Sequence, residues 1–148
     1  MKQIKNMIIV ILAVISGLVS IAYAAEKSMN PEEAKAFYKE AYEHTILNSQ
    51  ATKADYARYY AKDFTMYMDG KLYHFDDFVQ LSLERQKART SIQIIFKDML
   101  AESDGVATVH ATHIVKNDGS KLDLDVISFF RLRGHQFASG NELSRSQA

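Results

Sequence analysis

Three Asp-Gly dipeptides constrain this chain more than any other feature: Asp69-Gly70, Asp104-Gly105 and Asp118-Gly119 each separate stretches rich in apolar, β-branched or aromatic residues. Asp-Gly between such stretches is a strong signal for tight hairpin turns, because both residues tolerate the backbone angles that reverse a strand. The C-terminal half therefore reads as an antiparallel meander with strands over Ser91 to Ser103, Val106 to Asn117, Ser120 to Arg133 and about Phe137 to Arg145. Phe64 to Met68 is expected as an earlier strand, ending at the first Asp-Gly.

Helices precede the meander. Asn30-Pro31-Glu32-Glu33 combines a capping Asn, a Pro at the first helical position and a Glu able to return a bond to the cap. Ala34, Phe37, Tyr38, Ala41, Tyr42 and Thr45 follow at helical spacing, predicting a helix from Pro31 to about Asn48. Thr52 and Asp55 repeat the capping pattern, with Tyr56, Tyr59 and Tyr60 as the buried stripe of a shorter helix. A third helix is expected over about Phe75 to Ala88, with Asp76 and Asp77 in its first turn and Lys87 and Arg89 near its end, complementing the helix dipole. The fold class is α+β, with helices on one face of a sheet.

Ahead of the helices, Lys2 and Lys5 precede an apolar run from Met7 to about Val19, followed by Ala22-Tyr23-Ala24. This is the pattern of a secretory leader with a small-x-small cleavage site, so 1-24 is expected as a signal peptide and 25-148 as a single domain, periplasmic or secreted. No stable membrane association is expected after cleavage. The absence of cysteine excludes disulfides, thiolate chemistry and lipid attachment through an N-terminal Cys. The 18 basic and 18 acidic residues balance, and loss of Lys2 and Lys5 leaves a slight acidic excess. Without a basic stripe, nucleic acid is not an expected partner.

The element order, with Tyr59-Tyr60-Ala61-Lys62-Asp63-Phe64-Thr65-Met66 and the ending Val126-Ile127-Ser128-Phe129-Phe130-Arg131-Leu132 … Asn141-Glu142-Leu143-Ser144-Arg145, resembles the nuclear transport factor 2-like superfamily. Its SnoaL-like group is most similar, over about Pro31 to Arg145. The resemblance implies a cone-shaped, cystatin-like α+β domain, often dimeric, whose curved antiparallel sheet and helices enclose an apolar cavity. It also implies that the first helix lines that cavity, which singles out Tyr42. Some members are isomerases or polyketide cyclases. In ketosteroid isomerase an Asp base works with a Tyr and a protonated Asp. By the matched motifs these positions hold Met68, a residue close to His44, and Ser128, a departure that argues against steroid-type isomerisation. Asp69, beside the base position, is expected on the opposite strand face.

Registers follow from the turns. A two-residue loop at Asp118-Gly119 pairs His113 with Leu124, Ala111 with Val126, Val109 with Ser128 and Ala107 with Phe130. It makes this the cavity face, apolar except for His113 and Ser128. The opposite face would carry His110 with Ile127 and Thr112 with Asp125, as an outer or dimer-forming surface. The same arithmetic at Asp104-Gly105 sets Asp98 diagonal to His113. The doublets Ile94-Ile95 and Met99-Leu100, however, suggest a bulge that would turn Asp98 outward. In the last hairpin a two-residue turn at Gly134-His135 sets Asn141 opposite Ser128, whereas a three-residue loop sets Glu142 there; the family-like register favours Glu142.

Candidate ligand-binding residues are therefore Tyr42, Met66, Met68, His113, Val126, Ser128, Phe130 and Glu142, and candidate proton-transfer groups are Asp98, His113 and Glu142. A carboxyl in an apolar cavity is biased toward its neutral form and can donate a proton or a hydrogen bond. His110 and His113 lie three apart in a strand and point to opposite faces, so they do not chelate, and His44, His74 and His135 show no ligand spacing. No metal or cofactor is expected. Nucleophile elbows, phosphate loops and dinucleotide motifs are absent from the sequence. The expected function is binding of a small, largely apolar molecule. The alternatives are proton-transfer chemistry of the isomerase, cyclase or dehydratase type, and a non-catalytic dimerisation or interaction module using the face around Ile127 and Phe129.

Overall fold

The computed structural model describes residues 28–147; the expected leader and its cleavage site lie outside them. Three helices, α1 (Pro31–His44), α2 (Lys53–Tyr59) and α3 (Phe75–Lys87), are interleaved with six strands. These are β1 (Tyr60–Met68), β2 (Lys71–His74), β3 (Arg89–Glu102), β4 (Gly105–Lys116), β5 (Lys121–Arg133) and β6 (Gln136–Ser146). They form one curved, open sheet in the order β2-β1-β6-β5-β4-β3. The sheet is mixed rather than wholly antiparallel, because β1 pairs β6 in parallel, Tyr67 beside Asn141 and Met68 beside Glu142. That pairing carries the N-terminal helices onto the concave face and closes the core.

The expected helix starts are present. Asn30 Oδ1 accepts from Glu33 N at 2.9 Å, and Glu33 Oε2 accepts from Asn30 N at 2.9 Å. The Asp55 carboxylate accepts from both the backbone N and Oγ1 of Thr52. The first helix is shorter than expected, ending at His44. There Thr45 adopts a non-helical conformation and turns its hydroxyl onto the Ala41 carbonyl. Tyr60 belongs to β1 rather than α2, but is buried as expected.

Rings dominate the core: Tyr38, Tyr56, Tyr60, Phe64, Phe130 and Phe137 are all at least 98 % buried. Tyr38 stacks on Tyr42 at 4.5 Å between centroids and meets Phe130 and Phe137 edge-on. Gly140 admits this packing, since a Cβ there would lie 2.5 Å from Met66 Sδ and 2.7 Å from the Phe130 ring.

The hairpin at Asp118-Gly119 has a three-residue loop, so its register differs from the expected one. Val115 pairs Lys121, His110 pairs Val126 and Thr108 pairs Ser128. Of the loop residues only Gly119 has a positive φ, 82°, and Lys116 N donates to Ser120 O, the geometry of a turn followed by a left-handed glycine. The extra residue moves every β4 side chain to the other face.

Candidate functional site

The concave face of the sheet and the helices leave a cavity of about 430 Å³. Its walls include Tyr42 from α1, Tyr60, Met66 and Met68 from β1, Phe78 from α3, Ile92 and Ile94 from β3, Leu124, Val126 and Phe130 from β5. The β5 face is as the alternation predicts, because Leu122, Leu124, Val126, Ser128 and Phe130 all point inward.

On β4 the one-residue shift replaces His113 by His110. His110 is 2 % exposed and lines the cavity, whereas His113 sits on the outer face in a 2.7 Å contact with Asp123. His113 is therefore no cavity residue, and its role as a ligand or proton-transfer group is corrected. Asp98 is corrected as well. A bulge between Phe96 and Asp98 sets it beside Val109 on the outer face, where its carboxylate is exposed and accepts from Met99 N. The doublets flanking that bulge were its sequence signal.

Glu142 faces Ser128 across β5 and β6 and lines the cavity. The register is the favoured one, reached by another route: the loop has two residues, Gly134-His135, and a bulge between Arg131 and Leu132 supplies the shift. Gly134 at φ 57° fits the first position of such a turn. Asp69 also departs from expectation. It lies beyond β1 in a left-handed conformation, φ 49°, so strand alternation no longer governs it, and it lines the cavity. Its two carboxylate oxygens accept from Ser144 N and Ser144 Oγ, each at 2.7 Å.

Beneath the cavity floor runs a buried polar chain. Tyr38 Oη and Ser128 Oγ are 3.0 Å apart, Ser128 Oγ and Thr108 Oγ1 2.8 Å, and Thr108 Oγ1 and His110 Nδ1 3.0 Å. Ser128 thus anchors the floor beneath His110 instead of lining the cavity. Among the described residues His110 Nε2 has no hydrogen-bond partner. The Tyr60 hydroxyl, on another wall, is buried without one. A cavity ligand with polar atoms could satisfy both.

Burial displaces the two titratable groups in opposite directions. Desolvation pushes the Glu142 carboxyl up to about 7, opposed by the Arg85 guanidinium and reinforced by the Asp69 charge. Desolvation alone pushes the His110 imidazole down to about 4. At neutral pH the cavity thus offers a carboxyl near its midpoint and an uncharged imidazole. A carboxyl populated in both its acid and base forms can give or take a proton, and the uncharged imidazole can accept a hydrogen bond beside it. No group of three or more His, Asp or Glu able to hold a metal occurs among the described residues.

No family model matches the chain, and no curated protein does. Solved structures do. AclR, a candidate hydroxylase from Streptomyces galilaeus, aligns at TM-score 0.66 and 17 % identity over 77 % of this chain and 76 % of its own. IdmH, a candidate polyketide cyclase from Streptomyces antibioticus, aligns at 0.63 and 12 % over 74 % and 90 %. A candidate SnoaL-like polyketide cyclase from Jannaschia sp. CCS1 aligns at 0.59 and 9 % over 74 % and 85 %. At such identities the likeness shows the fold alone: the chain has the α+β architecture shared by nuclear transport factor 2-like and SnoaL-like proteins.

Proposed function

We propose that the chain is exported and binds a small, largely apolar molecule in its cavity, with Glu142 and His110 as the polar groups that orient it. The observation that carries this is the cavity itself: about 430 Å³, with aliphatic and aromatic side chains forming much of its wall and polar and charged groups, Glu142 and His110 among them, placed where they can orient a ligand. Mass spectrometry of protein purified from the exported fraction tests it, since a co-purifying small molecule should be lost when Val126→Trp fills the cavity. An N-terminus at Ala25 in that fraction would support export.

Proton transfer is a second reading, favoured by the opposed displacements of Glu142 and His110. Glu142 would serve as acid or base, and His110 would accept a hydrogen bond or a proton through Nε2. The candidate cyclases that share the fold make this chemistry a reasonable one to assay. On this reading Glu142→Gln abolishes turnover while the ligand still binds; undiminished turnover would remove Glu142 from the mechanism.

A homodimer formed through the convex sheet face is proposed as the assembly. Leu143, Ile127 and Val109 stand side by side across β6, β5 and β4, with Phe129, Tyr67 and Leu100 around them, all exposed. Several charges on this side of the sheet are paired within the chain, Lys97 and Arg145 with Asp125 and Arg131 with Asp104, while Asp98 beside Val109 is in no ion pair among the described residues. A face on which most charges are paired within the chain can meet its own copy with little like-charge repulsion.

A further inference from the structure

The cavity mouth carries more positive charge than the fold requires. Arg85 near the end of α3, Arg89 at the start of β3 and Lys116 at the end of β4 all line the cavity, and the register sets Arg89 directly beside Lys116. Like charges opposite one another across strands cost stability. Among the described residues none of the three is in an ion pair. Arg85 directs Nη1 at Met68 Sδ, 3.1 Å away, a weak acceptor for a guanidinium, and Arg89 donates to the Ile46 carbonyl. Most of their donors therefore remain uncommitted.

The nearby acids do not balance this charge. Asp69 is an ionised carboxylate that faces Arg85 and offsets part of its charge, and Glu142 is close to its midpoint at neutral pH, so the two acids leave Arg89 and Lys116 without a counter-charge. Arg85 and Arg89 also sense each other, the former adding to the burial that lowers the latter. Three cations at one end of an apolar cavity form a polarised site: the walls suit a hydrocarbon body, and the mouth suits an anion.

We infer that the ligand is an amphipathic anion, whose apolar body occupies the space between Met66, Ile94, Val126 and Phe130. Its oxyacid group, carboxylate or phosphate, is held at the mouth by Arg85 and Arg89, with Lys116 adding charge. This rests on the reading of the cavity as a small-molecule site and adds the chemical class of the molecule. Planar guanidinium forks suit either oxyacid, each able to accept two parallel hydrogen bonds.

The test displaces the neutral fluorophore N-phenylnaphthylamine from the cavity with competitors that share one alkyl chain: decanoate, decyl phosphate, decanol and decyltrimethylammonium. Decanoate or decyl phosphate should displace it at least about tenfold more effectively than decanol, and the cation least effectively. Whichever anion leads identifies the oxyacid. The advantage should shrink as salt is added and fall by about threefold or more in both Arg85→Gln and Lys116→Gln. Lys116 is exposed at a strand end, so its variant remains informative if the Arg85 variant folds poorly. Equal displacement by decanol and the anions, or an anion advantage that survives both substitutions, overturns the inference and leaves the cavity reading standing. A fluorophore that fails to bind, with or without the Val126→Trp block, overturns both.

Discussion

Glu142 and His110 owe their displaced titrations to one cause, and the consequences for stability have opposite signs. The folded chain keeps the Glu142 proton over the interval from 4.5 to about 7, where the unfolded chain has lost it, so this group makes stability fall as pH rises. Between about 4 and 6.5 the unfolded chain holds a proton on His110 that the folded chain refuses, so that group makes stability rise. Over their shared interval the two largely cancel. Glu142→Gln removes the first contribution alone. Relative to the parent, the variant should therefore gain stability as pH rises from about 4.5 to 7.5, by up to about 3 kcal/mol. Urea unfolding at the two ends of that interval measures the difference, and a pH-independent gap between the proteins would mean the carboxyl is well solvated.

At the scale of elements, two glycines separate conformational from steric demands. Gly119 has φ 82° and nothing near its Cβ position, so Gly119→Ala should cost only the left-handed backbone, about 1 kcal/mol. A Cβ on Gly140 would strike Met66 Sδ and the Phe130 ring, and Gly140→Ala should cost about 1–3 kcal/mol through overpacking. Thermal or urea unfolding of both variants checks the order, and a Gly119 variant worse than the Gly140 one would contradict it.

The Gly119 loop also explains which parts of the site were legible. Caps, helix faces and the β5 alternation depend on residues close in sequence, so Asn30, Asp55, Val126 and Phe130 fell where local rules put them. The β4 face depended on whether Asn117 belongs to the strand or to the loop, and Asp-Gly is compatible with either. Counting it into the strand brought His113 inside and hid His110. Charge offered a signal for the other register: it sets His113 beside Asp123 on the outer face and brings Asp125 within 2.7 Å of Lys97. Glu142 was legible as one of two registers, but not the bulge near Leu132 that selects it, because a bulge is set by packing on both neighbouring strands. The cations at the mouth were invisible for a related reason: Arg85, Arg89 and Lys116 come from three elements and meet only in the folded chain.

For the molecule as a whole, the concave face of the sheet is spent on the core and the cavity, which leaves the convex face as the surface on which the proposed homodimer would form. Ile127 is 60 % exposed and Leu143 61 %, adjacent on neighbouring strands, so their removal from water requires a second molecule. A two-fold contact would set this apolar row against its own copy, and a stable interface needs about 800 Å² from each partner, within reach of a face spanning four or five strands. Ile127→Asp places a charge at the middle of that row without touching the core. Its unfolding midpoint at low protein concentration should match the parent's within about 0.5 kcal/mol, as expected of a solvent-facing change. Sedimentation velocity should show the parent as a dimer at micromolar concentration and the variant as a monomer. A parent that sediments as a monomer across the accessible range, or a variant that remains dimeric, would reject the convex face as the interface. Because the cavity opens on the other side of the sheet, the monomeric variant should still bind N-phenylnaphthylamine, so assembly and ligand binding can be measured apart.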